Sequence, residues 1–197
     1  MVKLYKNFNI KNIHKNSIIL IGNFDGVHLG HQKLFKLANS YKKKYKLKIG
    51  VVNFDPMPKM FFNKSLKNFR ITSINQKVNL LSKLKVDFIV TKKFDKLFSK
   101  TKSINFIKEI LYKKLKSKFI FVSNNFRFGN KREGNVDLLI KNEDKYNFKV
   151  VKPEPLIKQQ KIISSTLIRG LLEKGYLEKA NKLLNRKWTI NGVVQKG

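Results

Sequence analysis

The sequence predicts an α/β fold in which a parallel β-sheet is flanked by helices on both faces. Short apolar runs, each long enough for one buried strand, alternate with longer segments whose apolar residues recur at helical spacing. Right-handed crossovers between such strands place helices on both sides of the sheet. The predicted strands are residues 18–21, 48–54, 86–90, 118–122 and 148–151.

Each helix is predicted from its apolar spacing and from a polar residue at its start. After a polar stretch, residues 1–16, that we assign to an edge strand or loop, the first helix begins at His31. Ser73 and Gln76 have the spacing of a capping box, and Ser103 caps the next helix. The predicted helices are residues 31–41, 73–84, 103–111 and 136–146, one that begins at 164–169, and one at 177–184.

The positive charge of the chain comes mainly from lysine. The 197 residues include 44 lysines and arginines against 12 acids, which gives a formal charge of +32. Only five of the basic residues are arginines, the side chains that make bidentate contacts with bases and phosphates. Lysine, asparagine, isoleucine and phenylalanine are abundant together, which is typical of an AT-rich genome. We therefore expect weak, salt-sensitive polyanion binding but no specific nucleic-acid partner.

Several other classes of protein are disfavoured by the composition. The chain has no cysteine, which excludes disulfides, thiolate chemistry and Cys-ligated metals. No apolar run is long enough to span a bilayer, and the first residues lack the apolar core of a signal peptide. We therefore expect a cytoplasmic protein without a membrane partner. The sequence makes no prediction of its oligomeric state.

The loop between the first strand and the first helix has the composition of a phosphate-binding turn. Gly22, Gly26 and Gly30 permit close backbone approach, and the helix that follows directs free N–H groups at one point. His28 and His31, two of only three histidines, flank that point and can donate hydrogen bonds to phosphate oxygens. The alternatives are surface histidines or a zinc pair, but zinc needs three or four ligands and only His14 remains.

A second anion site is predicted where hydroxyl residues begin a later helix. Ser164, Ser165 and Thr166 stand at the helix start, and Arg169 follows one turn along. The alternative is an ordinary helix cap followed by a surface arginine. Because this site and the first loop would share one edge of the sheet, we favour the interpretation as a second anion-binding site over an ordinary helix cap.

Aromatic and acidic side chains also follow the predicted strands. Phe54, Phe61, Phe62, Phe126 and Phe128 could enclose a planar ring, or could belong to the core of a phenylalanine-rich chain. Two acids, at 25 and 55, could contact a ligand or Mg²⁺, and the first could instead hold its own glycine turn. We expect the loops at 22–31, 54–62, 123–129 and 164–169 to converge beyond the sheet.

Four of these stretches together resemble one family. Residues 22–32, Gly-Asn-Phe-Asp-Gly-Val-His-Leu-Gly-His-Gln, resemble the nucleotidyltransferase signature of bacterial FAD synthetases, the adenylyltransferase halves of bifunctional riboflavin kinase/FMN adenylyltransferases. Phe-Asp-Pro-Met-Pro at 54–58, Asn-Phe-Arg-Phe-Gly at 125–129 and Ile-Ser-Ser-Thr-Leu-Ile-Arg at 163–169 are similar to its later motifs. The resemblance covers roughly residues 15–190. Met57 stands where the family usually has histidine.

The resemblance implies a Rossmann-like nucleotidyltransferase fold that converts ATP and FMN into FAD and diphosphate. It implies Mg²⁺ held mainly by the ATP phosphates, with no metal site built from side chains. The implied catalytic residues are His28, His31 and Arg169. The implied ATP-binding residues are Gly22, Phe24, Asp25, Gly26, His28, Gly30, His31, Ser164, Ser165, Thr166 and Arg169. The implied FMN-binding residues are Asp55, Phe62, Asn125, Arg127 and Phe128.

The resemblance also divides the chain into two parts. Residues 1–186 are predicted to be the adenylyltransferase domain, and 187–197 resemble the first strand of a riboflavin kinase domain, which we expect to be loosely held. Riboflavin kinase activity is not expected, because the kinase's nucleotide motif is absent. Two other functions stay open: a nucleotidyltransferase of the same superfamily with another acceptor, or a degenerate module that binds polyanions without catalysis.

Overall fold

The structure, a computed structural model, describes residues 2–66, 69–158, 160–192 and 194–195. It has the predicted α/β architecture, with a six-stranded parallel sheet in the order β1-β4-β3-β2-β5-β8. The strands are Lys3–Tyr5 (β1), Ile18–Ile21 (β2), Ile49–Asp55 (β3), Phe88–Lys93 (β4), Phe119–Phe121 (β5), Arg127–Phe128 (β6), Gly134–Asn135 (β7), Lys149–Val151 (β8), Ile157–Lys158 (β9) and Lys161–Ile162 (β10). Two small antiparallel hairpins, β6–β7 and β9–β10, lie outside the main sheet.

Helices cover both faces of the sheet, as predicted. They are Leu29–Tyr45 (α1), Pro58–Phe62 (α2), Ile74–Lys83 (α3), Lys96–Ser99 (α4), Ser103–Asn105 (α5), Val136–Lys141 (α6), Glu143–Tyr146 (α7), Ser165–Glu173 (α8) and Leu177–Leu184 (α9). A π-helical segment, Phe106–Lys114, continues α5, and short 3₁₀ turns occupy Asn12–His14 and Asn130–Arg132. The helix predicted over 136–146 is interrupted at Asn142, which lies between α6 and α7. No helix in the described ranges combines the length and apolarity needed to cross a bilayer.

Alternation along the buried strands sends side chains into two cores. In β2, Ile19 and Ile21 face a core formed with the π-helical segment, α6 and α7, whereas Ile18 and Leu20 face a core formed with α1 and α3. Because both faces of β2 are covered, all four of its residues are buried, which explains the continuous apolar run. A third, smaller core joins α8 and α9.

The order of the strands fixes where a ligand can bind. The chain runs outward from β2 through β3 and β4 in one direction, and from β5 to β8 in the other. The gap between the carboxyl ends of β2 and β5 is therefore the topological switch point of the sheet, the usual binding crevice in such folds. The loop after β2 and residues 122–125 after β5 both begin at this crevice.

The described residues at the end of the chain contact α3, α8 and α9. The described residues within 187–197 form no strand, since none of the described strands pairs with them. Instead the Trp188 indole N–H donates to the Ile71 carbonyl at 2.9 Å, and the ring packs against the core of α8 and α9. The Gln76 side-chain amide donates a hydrogen bond to the Thr189 carbonyl oxygen at 3.0 Å. The folded unit therefore extends past residue 186; Val193, Lys196 and Gly197 lie outside the described residues.

The contact between β3 and β4 predicts the effect of one substitution. A Cβ on Gly50 would overlap the ring of Phe88, its neighbour in the sheet register. Gly50→Ala should therefore lower the free energy of unfolding by about 1–3 kcal/mol, through overpacking. Denaturant unfolding measures this change. Gly170→Ala is the matched control, because nothing lies within 4 Å of its Cβ position, and it should leave stability unchanged or raise it. Equal stability of Gly50→Ala and the wild type would contradict the close contact.

Candidate active site

A polar cavity of about 330 Å³ opens at the switch point of the sheet. Its walls come from the loop after β2, the start of α1, α2, Phe69, Ser123 and the first turns of α8. The loops at 22–31, 54–62, 123–129 and 164–169 all contribute residues to this cavity, as predicted from the sequence. Its lining residues are Ile21, Gly22, Asn23, Phe24, Asp25, His31, Leu34, Met57, Lys59, Phe69, Ser123, Ser165, Thr166 and Arg169.

A groove continues from the polar cavity toward the β9–β10 hairpin. It is lined by His28, Gly30, Asn125, residues 153–156, and residues 162–165. We call it the hairpin groove. His31, Leu34, Ser123 and Ser165 line both spaces, so the two are joined across the start of α1. An elongated ligand could therefore occupy both at once.

His28 and His31 are fixed by the start of α1. His28 is the N-cap of this helix, and its Nδ1 accepts a hydrogen bond from the His31 backbone N–H at 3.4 Å. The two rings stack with their centroids 3.6 Å apart, and Phe24 contacts the His31 ring edge-on. Because Nδ1 of His28 is an acceptor, its neutral ring carries the proton on Nε2. Nε2–H is thus the donor that His28 can offer to a ligand.

Both imidazoles are neutral at pH 7. Burial lowers the pKa of His28 to about 4; Asp25 raises it, but Arg169 and Arg186 lower it further. Burial also lowers the pKa of His31 well below its ordinary value, and the neighbouring His28 and Lys77 act in the same direction. The pair therefore supplies hydrogen-bond donors and no charge to the free cavity.

Asp25 is a buried hub that joins distant segments. Its carboxylate is 2% exposed and accepts hydrogen bonds from the backbone N–H groups of Ile71 and Thr72 and from the Thr72 hydroxyl, at 3.0–3.3 Å. Arg169 donates to the same carboxylate at 3.0 Å. The Thr72 hydroxyl in turn accepts from the backbone of Gly26 at 3.2 Å. Asp25 therefore holds a segment 46 residues away, in addition to its own turn.

Arg169 lies in the wall of the polar cavity but is already engaged. Besides its ion pair with Asp25, its Nε donates to the Phe69 carbonyl at 2.8 Å. Its guanidinium lies 3.7 Å from the centroid of the Phe69 ring. The guanidinium retains N–H groups beyond these contacts, so it can still donate to a ligand. Its charge, however, is balanced by Asp25.

The three hydroxyl residues at the start of α8 have different roles. Ser164 caps the helix by accepting from the Leu167 N–H at 3.2 Å, and it lines the hairpin groove. Ser165 donates to the Asp25 carbonyl at 2.8 Å, and Thr166 lines the polar cavity. The first turn of α8 therefore faces the same space as the first turn of α1.

The glycines of the first loop face different surroundings. Gly22 lines the polar cavity and Gly30 lines the hairpin groove. A Cβ on Gly30 would lie 3.2 Å from the His28 ring, so the glycine allows that ring to sit over the helix start. Gly26, with φ of +79°, faces Ile71 and Leu184 in the core, so its role is to form the turn. It does not line the polar cavity or the groove.

The residues predicted to bind FMN are divided among three places. Phe62, Arg127 and Phe128 line a separate pocket, which we call the aromatic pocket, whereas Asn125 lies in the hairpin groove. Asp55 forms an ion pair with Arg70 and lines neither space. The other aromatic residues of the pocket are Phe54, Phe94, Phe98, Phe106 and Phe126.

The aromatic pocket contains both buried and exposed rings. Phe128 is buried and stacks on Phe126 with centroids 5.4 Å apart, whereas Phe62 is 71% exposed. The sequence analysis did not identify Phe94 and Phe98 as pocket residues, although Phe94 directly follows β4, just as Phe54 lies near the end of β3. The aromatic rule applied to the other loops would have found both residues.

Polar atoms without partners are concentrated beside the cavity. Among the described residues, four buried side-chain atoms have no hydrogen-bond partner. Ser117 Oγ lies before β5, whereas the other three, Asn23 Oδ1, His31 Nδ1 and Asn53 Oδ1, lie near the carboxyl ends of β2 and β3. Buried polar atoms are normally paired in native proteins, so these atoms favour a site completed by a polar ligand.

Comparisons with known proteins agree on one family. A family model described as FAD synthetase matches residues 10–167. The chain is 45% identical over 189 residues to a bifunctional riboflavin kinase/FMN adenylyltransferase of Buchnera aphidicola, which covers 96% of this chain and 60% of that protein. It is 31% identical over 183 residues to an FAD synthetase of Listeria monocytogenes, covering 92% of this chain and 73% of that protein. The chain thus spans about 60% of the length of its bifunctional relatives.

Solved structures share the fold. A Streptococcus pneumoniae structure described as a macrolide-efflux protein has a TM-score of 0.81 and 25% identity, covering 94% of this chain and 60% of that chain. A pantoate-beta-alanine ligase from Francisella tularensis has a TM-score of 0.55 and 13% identity, covering 93% of this chain and 86% of that chain. At that identity the second likeness concerns the fold alone.

The Asp25 hub predicts a large loss of stability on neutralisation. In Asp25→Asn, an amide NH₂ would face the N–H groups that the carboxylate now accepts, and Arg169 would lose its ion pair. We expect the free energy of unfolding to fall by about 3 kcal/mol, measured by denaturant titration. Asp144→Asn is the control, because that side chain is 98% exposed and its ion pair with the exposed Lys149 should contribute little to stability. Similar losses in both variants would contradict the role of the hub.

The neutral histidines predict a fold that weakens in mild acid. In the unfolded chain they bind protons near the ordinary pKa of 6.5, whereas folded His28 does so only near 4. Stability is therefore complete above pH 6.5 and declines as the pH falls toward 4, by about 1.4 kcal/mol per pH unit for each such histidine. Urea unfolding across this window measures the slope. His28→Asn should reduce the slope by one histidine's share, and an unchanged slope would refute the assignment.

Proposed function

We propose, because this chain belongs to the FAD synthetase family, that it is an FMN adenylyltransferase that converts ATP and FMN into FAD and diphosphate. The observation that carries this proposal is that two helix starts and two stacked histidines meet at the switch point, with His31 lining both the polar cavity and the hairpin groove and His28 lining the groove. The first turns of α1 and α8 both contribute lining residues, so their free N–H groups and positive dipole ends favour an anionic ligand there.

In the proposed reaction, an oxygen of the FMN phosphate attacks the α-phosphorus of ATP. A bond forms between that oxygen and the α-phosphorus, the bond to the bridging oxygen breaks, and diphosphate leaves with the electron pair. The attacking phosphate is already ionised at pH 7, so no side chain has to remove a proton from it. The protein's task is to align the two phosphates and to stabilise charge on the leaving diphosphate.

The nucleotide is best accommodated along the joined spaces. We place the nucleoside in the hairpin groove and the triphosphate across the start of α1 into the polar cavity. This arrangement brings the α-phosphate to the junction, where His31 and Ser165 line both spaces and His28 can donate through Nε2–H. Thr166 and the remaining N–H groups of Arg169 then face the rest of the phosphate chain.

The aromatic pocket suits the flavin. We place the isoalloxazine ring against Phe62 and Phe128, where rings from several strand ends offer flat apolar surface. Arg127 in the same pocket offers a cation to the FMN phosphate. Asn125 lies nearer the nucleotide than the flavin in this arrangement, and Asp55 acts through its ion pair with Arg70.

We further propose that Mg²⁺ enters with ATP and is held mainly by the phosphates, whose charge it neutralises. The donor set supports this assignment. The carboxylate of the polar cavity, Asp25, already accepts from two backbone N–H groups, a hydroxyl and a guanidinium. A carboxylate so occupied is a poor ligand for a cation that needs near-octahedral oxygen coordination. We place the reaction in the cytoplasm, where ATP is supplied.

FAD formation from ATP, Mg²⁺ and FMN tests the proposal directly, with chromatography of the flavin product as the measurement. His28→Asn should lower the rate at least about a hundredfold, because it removes the Nε2–H donor, while asparagine still caps α1 and preserves the fold. His14→Asn is the matched control; it makes the same change in the 3₁₀ turn before β2, at the opposite edge of the sheet. If the wild type binds ATP but forms no FAD, the assigned reaction is wrong.

A further inference from the structure

The ionised side chains of the polar cavity leave one cation without a partner. Of its lining residues, Asp25, Lys59 and Arg169 carry charge at pH 7, and Asp25 and Arg169 neutralise each other in an ion pair of 3.0 Å. His28 and His31 are neutral in the free protein. No carboxylate among the described residues forms an ion pair with Lys59. The net positive charge of the cavity wall is therefore that of Lys59.

Other nearby cations do not change this balance at the cavity wall. Arg70 is paired with Asp55, and Lys77 is buried in the packing of α3; neither of them lines the polar cavity. Burial also lowers the pKa of Lys77. Lys59, in contrast, is exposed and can carry its full charge to a ligand.

The position of Lys59 is set by a shared aromatic ring. Its ammonium lies 5.1 Å from the centroid of Phe69, the ring that also carries the Arg169 guanidinium at 3.7 Å. A cation over an aromatic face is attracted to it, so Phe69 holds both cations at the cavity rim. Lys59 lines the polar cavity but not the hairpin groove, so it lies away from the nucleoside end of the site.

We propose that Lys59 binds the terminal phosphates of the nucleotide and the diphosphate that leaves, with Phe69 as the platform that positions its ammonium. This assignment rests on the proposed function for the identity of the nucleotide. The physical reason is that a polyphosphate brings several negative charges into a wall whose guanidinium is already neutralised. The unpaired ammonium of Lys59 can approach and bind those oxygens without breaking an existing ion pair. Arg169 would first have to give up its ion pair with Asp25 to bring its full charge to them.

Binding of inorganic diphosphate to the whole chain, measured by calorimetry, tests the proposal. Lys59→Met should weaken binding about tenfold, the effect of losing one charge-assisted hydrogen bond, whereas Lys59→Arg should retain most of the affinity. AMP, which lacks the terminal phosphates, should bind the wild type and Lys59→Met equally. In turnover, KM for ATP should rise in Lys59→Met, and thermal unfolding should not change because the side chain is exposed.

Lys64→Met is the matched control. Lys64 is also exposed and lies 5.3 Å from an aromatic centroid, that of Phe61, but it does not line the polar cavity. Unchanged diphosphate binding in Lys59→Met overturns the proposal, as does an equal loss in Lys64→Met, which would indicate a general effect of net charge. FAD formation by the wild type is measured in a separate assay. If diphosphate binding depends on Lys59 but the wild type forms no FAD, the proposed reaction is refuted and the Lys59 phosphate site is supported.

Discussion

The buried carboxylate of Asp25 is the interaction on which the rest of the site depends. It ties the loop after β2 to the backbone at Ile71 and Thr72 and to Arg169 in α8. The carbonyl of Ile71 then accepts from the Trp188 indole, so the end of the described chain is connected to the same hub. A charge this deeply buried is stable only when it is fully paired, and the segments that pair it are thereby fixed relative to one another.

The hub also determines the electrostatics of the cavity. Because Asp25 neutralises Arg169 and burial keeps both histidines uncharged, the groups at the two helix starts act as hydrogen-bond donors in a wall with little fixed charge. Such a wall can hold donors in place without the repulsion that a cluster of cations would create. In the proposed reaction, positive charge comes from Lys59 at the rim and from the cation that accompanies the nucleotide. The lysines elsewhere on the surface add a long-range attraction for anions.

Much of the fold could be predicted because each element carries its own local signal. The buried run of β2, the capping box of α3 and the hydroxyl start of α8 were assigned correctly from short windows of sequence. The resemblance to FAD synthetases rested on four such windows and is confirmed by the family match over residues 10–167. The resemblance of 187–197 to the first strand of a kinase domain stays a prediction; among the described residues this segment pairs with no strand, and Trp188 packs against the core of α8 and α9.

The sequence by itself determined the fold class, the glycine-rich and hydroxyl-rich loops that line the cavity, and the aromatic strand ends, since these depend on spacing and residue type within a few residues. Only the tertiary structure decided that Asp25 is committed to Ile71 and Thr72, that Asp55 pairs with Arg70, and that Asn125 lies apart from Phe62 and Phe128. Only the structure decided that the histidines are neutral and that Lys59 faces the cavity. Each of these properties arises from burial and from contacts between distant segments, neither of which leaves a local pattern in the sequence.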